Sequence, residues 1–327
     1  MYYVGNTPLT EPLLTATLAI SPPAETERTR TLTRIAAFLA VVAVAEALLT
    51  FAMHRTDPHS AAGGAVMLGI MWAPGLSAMV VQLYFQRSLR GFGWRPGPAR
   101  YLALAYFLPM LYGGLVLVGA QAFGAGTISF ERWAAGAGRW GLPPYAVNGM
   151  LIQMTVFMLP GLVMGLGEEI GWRGFLAPQL ARLTGFWGVV NVSFVIWLAF
   201  HLPGMFLGGY HGEGTPLWYS FLCFAAMLYP ATVLMTWLRL RTGSLWPCAV
   251  HHAAHNLFLQ VMWHSAFKPN AATPWFVGEF AALTPIALGL LVWAWLRWEG
   301  GAVRSLERAG SGHDEPAHRD DRERGRQ

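Results

Sequence analysis

Eight stretches of this sequence are apolar and long enough to cross a bilayer, and no other feature constrains the fold as strongly. A span takes about 20 residues. The stretches lie near 34–53, 64–85, 101–123, 146–167, 188–208, 216–238, 244–264 and 276–297. The expectation is an all-α polytopic membrane protein of about eight transmembrane helices. Composition excludes a soluble class: 54% of residues are hydrophobic and 12% charged, against about 25% charged in a soluble chain. Fifteen tryptophans suit a protein with two membrane–water interfaces. The two cysteines, Cys223 and Cys248, fall in apolar segments and make no disulfide framework.

Residues 1–33 read as a cytoplasmic leader. They lack a basic region ahead of an apolar core, so no cleaved signal peptide is read there. Residues 34–299 form one transmembrane domain, and 300–327 are a charged tail without aromatics, expected to be disordered. With eight spans both termini share one side. That side holds all but four of the 22 Lys and Arg. The four are Arg55, Arg132, Arg139 and Lys268. The positive-inside rule therefore makes both termini cytoplasmic. The net charge of +5 is an orientation signal rather than a nucleic-acid footprint, because the arginines are spread over loops and tails. Lysine occurs once, a bias that suits a GC-rich bacterial genome, and the expected location is a bacterial inner membrane.

Ionisable groups in a membrane cost about 2.5–3.5 kcal/mol each at a helix centre and are functional by default. Three places qualify, each with a partner that can be named. In "GLGEEIGWRGF", residues 165–175, Glu169 and Arg173 are four apart on one helical face and can pair. Glu168 points about 100° away and is left without a local partner, which favours chemistry for it and bracing for the other two. In "VIWLAFHLPGMF", residues 195–206, His201 stands alone. By itself such a histidine is more often bonded to a backbone carbonyl than catalytic. In "GSLWPCAVHHAAHNLF", residues 243–258, His251, His252, His255 and Asn256 make two i,i+4 pairs. Two imidazoles so spaced can grip a metal, although no glutamate lies between them as in H-E-x-x-H.

A carboxylate with buried imidazoles suits water activation, and Asn or His can donate to a tetrahedral oxyanion. That is the chemistry of peptide hydrolysis. No G-x-S-x-G occurs, which disfavours a serine protease. The order of these groups resembles the CAAX protease and bacteriocin-processing family, the type II CAAX or Rce1-like intramembrane proteases. The resemblance rests on Glu168-Glu169-Ile170-Gly171-Trp172-Arg173, then Trp197-Leu198-Ala199-Phe200-His201, then His252-Ala253-Ala254-His255-Asn256. Pro247, five residues before His252, keeps the family's spacing and selects His252/Asn256 over His251/His255. The matching core runs over about 146–260. Trp197 departs from the more usual Phe, and His251 and His255 are extra.

The resemblance implies that Glu168 activates the attacking water with His201 assisting, that His252 and Asn256 complete the site, and that Glu169 and Arg173 brace the helix. The substrate would be a membrane-associated protein or peptide, prenylated if the family label holds. Two chemistries stay open: zinc held by His201, His252 and Glu168, or a metal-free glutamate mechanism. Glu168 does not easily serve as both ligand and base. Simple counting puts Glu168 and His252 near the cytoplasmic ends of their spans and His201 deeper. A late start of span five and a cavity open to the cytoplasm would reconcile them. Two other classes compete. One is a non-enzymatic immunity or scaffolding protein of the same fold. The other is a transporter, which predicts inverted repeats that the sequence does not show.

Overall fold

A computed structural model describes residues 25–311 and is almost wholly helical. The chain runs through α1 (Glu25–His54), α2 (Ala61–Gln86) and α3 (Ala99–Ala122). A short strand β1 (Gly126–Ile128) and α4 (Glu131–Arg139) follow. A helical stretch then continues from Ala146 to Leu180 as α5 (Ala146–Thr155), α6 (Met158–Glu169), a π-helical segment (Ile170–Leu176) and α7 (Ala177–Leu180). After α8 (Phe186–Leu207) and α9 (Leu217–Thr242), α10 (Trp246–His255) leads into a second π-helical segment (Asn256–Met262) and α11 (Trp263–Ser265). The strand β2 (Phe267–Pro269) pairs antiparallel with β1, Thr127 opposite Lys268. Then come α12 (Thr273–Phe276) and α13 (Leu283–Ser311).

Among the described residues, six helical stretches are long and apolar enough to cross a membrane: α1, α2, α3, Ala146–Leu180, α8 and α9. The protein is an integral membrane protein. The expected count of eight is not reached by this measure, for a different reason at each remaining segment. Helix α10 is buried among its neighbours, packed on α6 and α3, so it needs no apolar coat and can carry three histidines. Helix α13 runs into Arg297 and Glu299, which dilute its apolar half.

Three boundaries also move. Helix α1 begins at Glu25, inside the expected leader, and residues 1–24 lie outside the described residues. Helix α13 continues to Ser311, past the Gly300 where the disordered tail was expected to begin; the rest of that tail is outside the described residues. The fourth span ends at Leu180, not near 167, because the π segment absorbs Arg173 inside the bundle instead of ending the helix. Glu168 therefore lies well within a long helix. Span five needs no late start, since α8 begins at Phe186.

The helices pack closely through small residues. A Cβ on Gly75 of α2 would stand 2.3 Å from the Gly167 carbonyl oxygen of α6. Gly165 gives α10 its seat, since a Cβ there would lie 3.3 Å from both the Ala253 nitrogen and the His252 Cβ. The G-x-x-x-G at Gly161 and Gly165 is thus a packing device. Beyond it, toward the Arg-rich loops, the interior is solid. Phe38, Phe92, Trp172 and Phe175 are all nearly inaccessible and in ring contact.

The loop between α2 and α3 seals that end. Arg239 donates to the carbonyls of Arg173 and Gly91, at 2.6 and 3.0 Å. Leu245 N–H donates to Gly93 O and the Trp246 indole to Trp94 O. Gly93 has φ +84, and a Cβ there would meet the Gly243 carbonyl oxygen at 2.6 Å, so only glycine fits.

Candidate active site

The long fourth span supplies the acids, and its π segment begins immediately after them. π turns widen a helix locally and recur at functional sites. Glu168 is 2% exposed and Glu169 fully buried. Glu168 was expected to have no local partner, and this is corrected. Its Oε2 accepts the indole N–H of Trp172 at 3.0 Å and that of Trp197 at 2.8 Å. Burial of a carboxylate demands hydrogen bonds, and two tryptophans on different helices provide them.

Glu169 and Arg173 form the expected pair, Oε1 to the guanidinium at 3.0 Å. The same Oε1 also receives His252 Nδ1 at 2.9 Å, so Glu169 does more than brace its helix. It orients an imidazole from α10, as carboxylates orient catalytic histidines. The Arg173 guanidinium lies 4.0 Å from the centre of the Trp197 ring. Trp197 therefore joins Glu168 to Arg173, which gives the departure from phenylalanine a physical role.

His201 hydrogen-bonds through Nδ1 to the Trp197 carbonyl at 2.8 Å. That is the structural bond expected of a lone histidine, and it leaves Nε2 free. His201 nevertheless lines the site. A cavity of about 430 Å³ is walled in part by Glu168, His201, His252 and Asn256. A smaller space of about 40 Å³, the size for a water, lies between His201, His252, His255, Asn256 and Glu279. Asn256 is the first residue of the second π segment, so both polar motifs sit where an α-helix changes to π.

The extra histidines part company. Both ring nitrogens of His251 are buried without a hydrogen-bond partner. His255 has both nitrogens engaged, Nδ1 with the Tyr112 hydroxyl at 2.5 Å and Nε2 with Glu279 at 3.1 Å. Glu279 also accepts from Gln260 at 2.7 Å and Tyr210 at 2.8 Å. Burial would raise the pKa of Glu279, but His255, Gln260 and Tyr210 outweigh it and bring it to about 2. The hydroxyl of Tyr210 is pushed well up by burial and by the Glu279 charge.

Sequence reasoning missed Glu279, Tyr210 and Tyr112, which lie far apart in the chain. It also missed Glu46, whose signal was present: a lone carboxylate in the apolar run of α1. Glu46 is buried, accepts from Thr50 four residues on, leaves Oε2 without a partner, and lines the same cavity as Glu168.

His252 and His201 each bond a protein oxygen through Nδ1 and keep Nε2 for the site, and two indoles occupy Glu168 Oε2. Among the described residues no three His, Cys, Asp or Glu side chains come together as a group that could hold a metal ion.

Residues 149–258 match the family model described as type II CAAX prenyl endopeptidase Rce1-like. Among curated proteins none matches the chain.

Proposed function

We propose, from the premise that residues 149–258 form an Rce1-like domain of a protease family, that the chain is an intramembrane endopeptidase in which Glu168 activates water. The observation that carries this is a carboxylate fixed by two indole N–H groups at the wall of a cavity that His201, His252 and Asn256 also line. A carboxylate so held is preorganised and costs little reorganisation during reaction. The core about 146–260 is the catalytic part, and the helices outside it wall the cavity.

The chemistry follows from these groups. A water beside Glu168 gives its proton to the carboxylate as its oxygen bonds to the scissile carbonyl carbon. Asn256 offers amide N–H groups to the oxyanion, and His252, oriented by Glu169, presents Nε2 to the same space. The C–N bond then breaks, and the proton on Glu168 passes to the leaving amine, with His201 Nε2 placed to assist. The carboxylate is restored. No step runs through zinc.

The test needs no knowledge of substrate. Wild type and Glu168→Gln are expressed at matched levels in a deletion background, and new protein termini in the membrane fraction are compared by mass spectrometry. Termini found only with wild type are expected. Identical termini, with both proteins inserted, would shift the reading to an immunity or scaffolding protein of the same fold.

A further inference from the structure

The cavity lies in the half of the bundle opposite the arginine-rich loops, not on their side as expected. Its walls come from the last part of α1 (Met53), the first part of α2 (Met67), the start of α6 (Pro160), the end of α8 (Gly204) and the second π segment (Val261). The ends of α1, α8 and the second π segment and the start of α2 adjoin the connections 55–60, 208–216 and 263–282, and α6 reaches 123–145 through α5. Those connections hold only Arg55, Arg132, Arg139 and Lys268. Met67 and Val261, from the outermost of these stretches, are 40% and 39% exposed. The other end is closed by the aromatic core and by the 87–98 loop pinned on Arg239, Leu245 and Trp246.

Arginine-rich connections stay in the cytoplasm. We infer that the cavity receives its substrate from the non-cytoplasmic face, so the substrates are exported or membrane-anchored polypeptides presented at the outer leaflet. This rests on the protease reading for the word substrate, but not for the direction of the opening. The lining narrows the class further. Met53, Met67, Met71 and Met164 give polarisable walls that adapt to irregular apolar side chains. Glu46, with its unpartnered Oε2, and Glu168 put two carboxyl groups in the wall. An apolar segment fits. A free C-terminal carboxylate delivered from the cytoplasm, as at the end of a CAAX protein, comes from the wrong side.

The test is cysteine accessibility in the full chain. Met67→Cys and Val261→Cys sit at the mouth. Ala99→Cys, exposed at the start of α3, reports the arginine-rich side, and Leu142→Cys, 44% exposed, reports the other. Native Cys223 and Cys248 are buried, and unmodified protein gives the background. Spheroplasts are treated with a membrane-impermeant maleimide before and after permeabilisation. Each variant is first checked for wild-type thermal unfolding.

Met67→Cys, Val261→Cys and Leu142→Cys are expected to label in intact spheroplasts, and Ala99→Cys only after permeabilisation. Mouth cysteines that label only after permeabilisation overturn the inference, as does Ala99→Cys labelling from outside. Mouth cysteines that never label in a folded protein overturn the open mouth itself. If the labelling is as expected but Glu168→Gln changes no termini, the protease reading fails while the orientation stands.

Discussion

Trp197 serves three neighbours at once. Its indole donates to Glu168, its ring lies under Arg173, and its carbonyl accepts from His201. Trp197→Phe keeps the ring and carbonyl but deletes the N–H. A hydrogen bond to a charged acceptor is worth about 1.5–3 kcal/mol, so kcat should fall on the order of tenfold to a hundredfold with KM nearly constant. A loss carried by KM alone would assign Trp197 to substrate binding instead. Glu169→Gln should cost about 3–5 kcal/mol by leaving Arg173 buried without its counter-charge. The double variant Glu169→Leu/Arg173→Leu should regain most of that stability, read by thermal unfolding. It should stay inactive, because His252 has still lost its acceptor; recovered activity would reduce Glu169 to a brace. The Glu169–Arg173 pair is legible from spacing alone. The Trp172 bond has the same spacing, yet a search for charge partners passes over an indole N–H. Trp197 comes from another helix, and no local pattern announces it.

Helices that carry the site need not resemble membrane helices. Helix α10 is wrapped by α3 and α6, so its histidines meet protein rather than lipid. Hydropathy locates the segment but says nothing of this wrapping. The contact that sets its depth is glycine against backbone. Gly165→Ala would crowd Ala253 N and His252 Cβ at 3.3 Å, whereas a Cβ on Gly161 would meet Ala253 O at an ordinary 3.5 Å. Overpacking costs about 1–3 kcal/mol. Gly165→Ala should therefore lower both stability and cleavage, and Gly161→Ala neither; equal behaviour of the two in unfolding and cleavage assays would remove the argument. The partner that Gly165 seats lies on another helix, which no local pattern announces.

The molecule as a whole is solid at one end and hollow at the other. Charge placement sets the expected sides of the two ends, and only packing shows which end is hollow. At the hollow end Glu279 clasps His255, Gln260 and Tyr210, tying the connections that precede α9 and α13 to α10 and the second π segment. Its pKa of about 2 lies below the value of about 4.3 for a free glutamate. The clasp is thus fully stabilising above about pH 5 and is lost as pH falls toward 2, a contribution on the order of 3 kcal/mol. Thermal unfolding in detergent should fall with acidity more steeply for wild type than for Glu279→Gln. Parallel curves would show that the clasp carries no such share.

The two π segments have a consequence for descent. Each holds about one residue more per turn than the helix around it. Excising one residue between Ile170 and Leu176 would shorten the span by only about 1.5 Å and turn everything beyond it by about 100° against everything before. The helix would keep its length, its apolar character and its place in the bilayer. Its glutamates would no longer share a register with the rest of the helix. In this chain the site is written in the count of residues as much as in their identity, and a lineage could lose it by one codon while every signature residue survived.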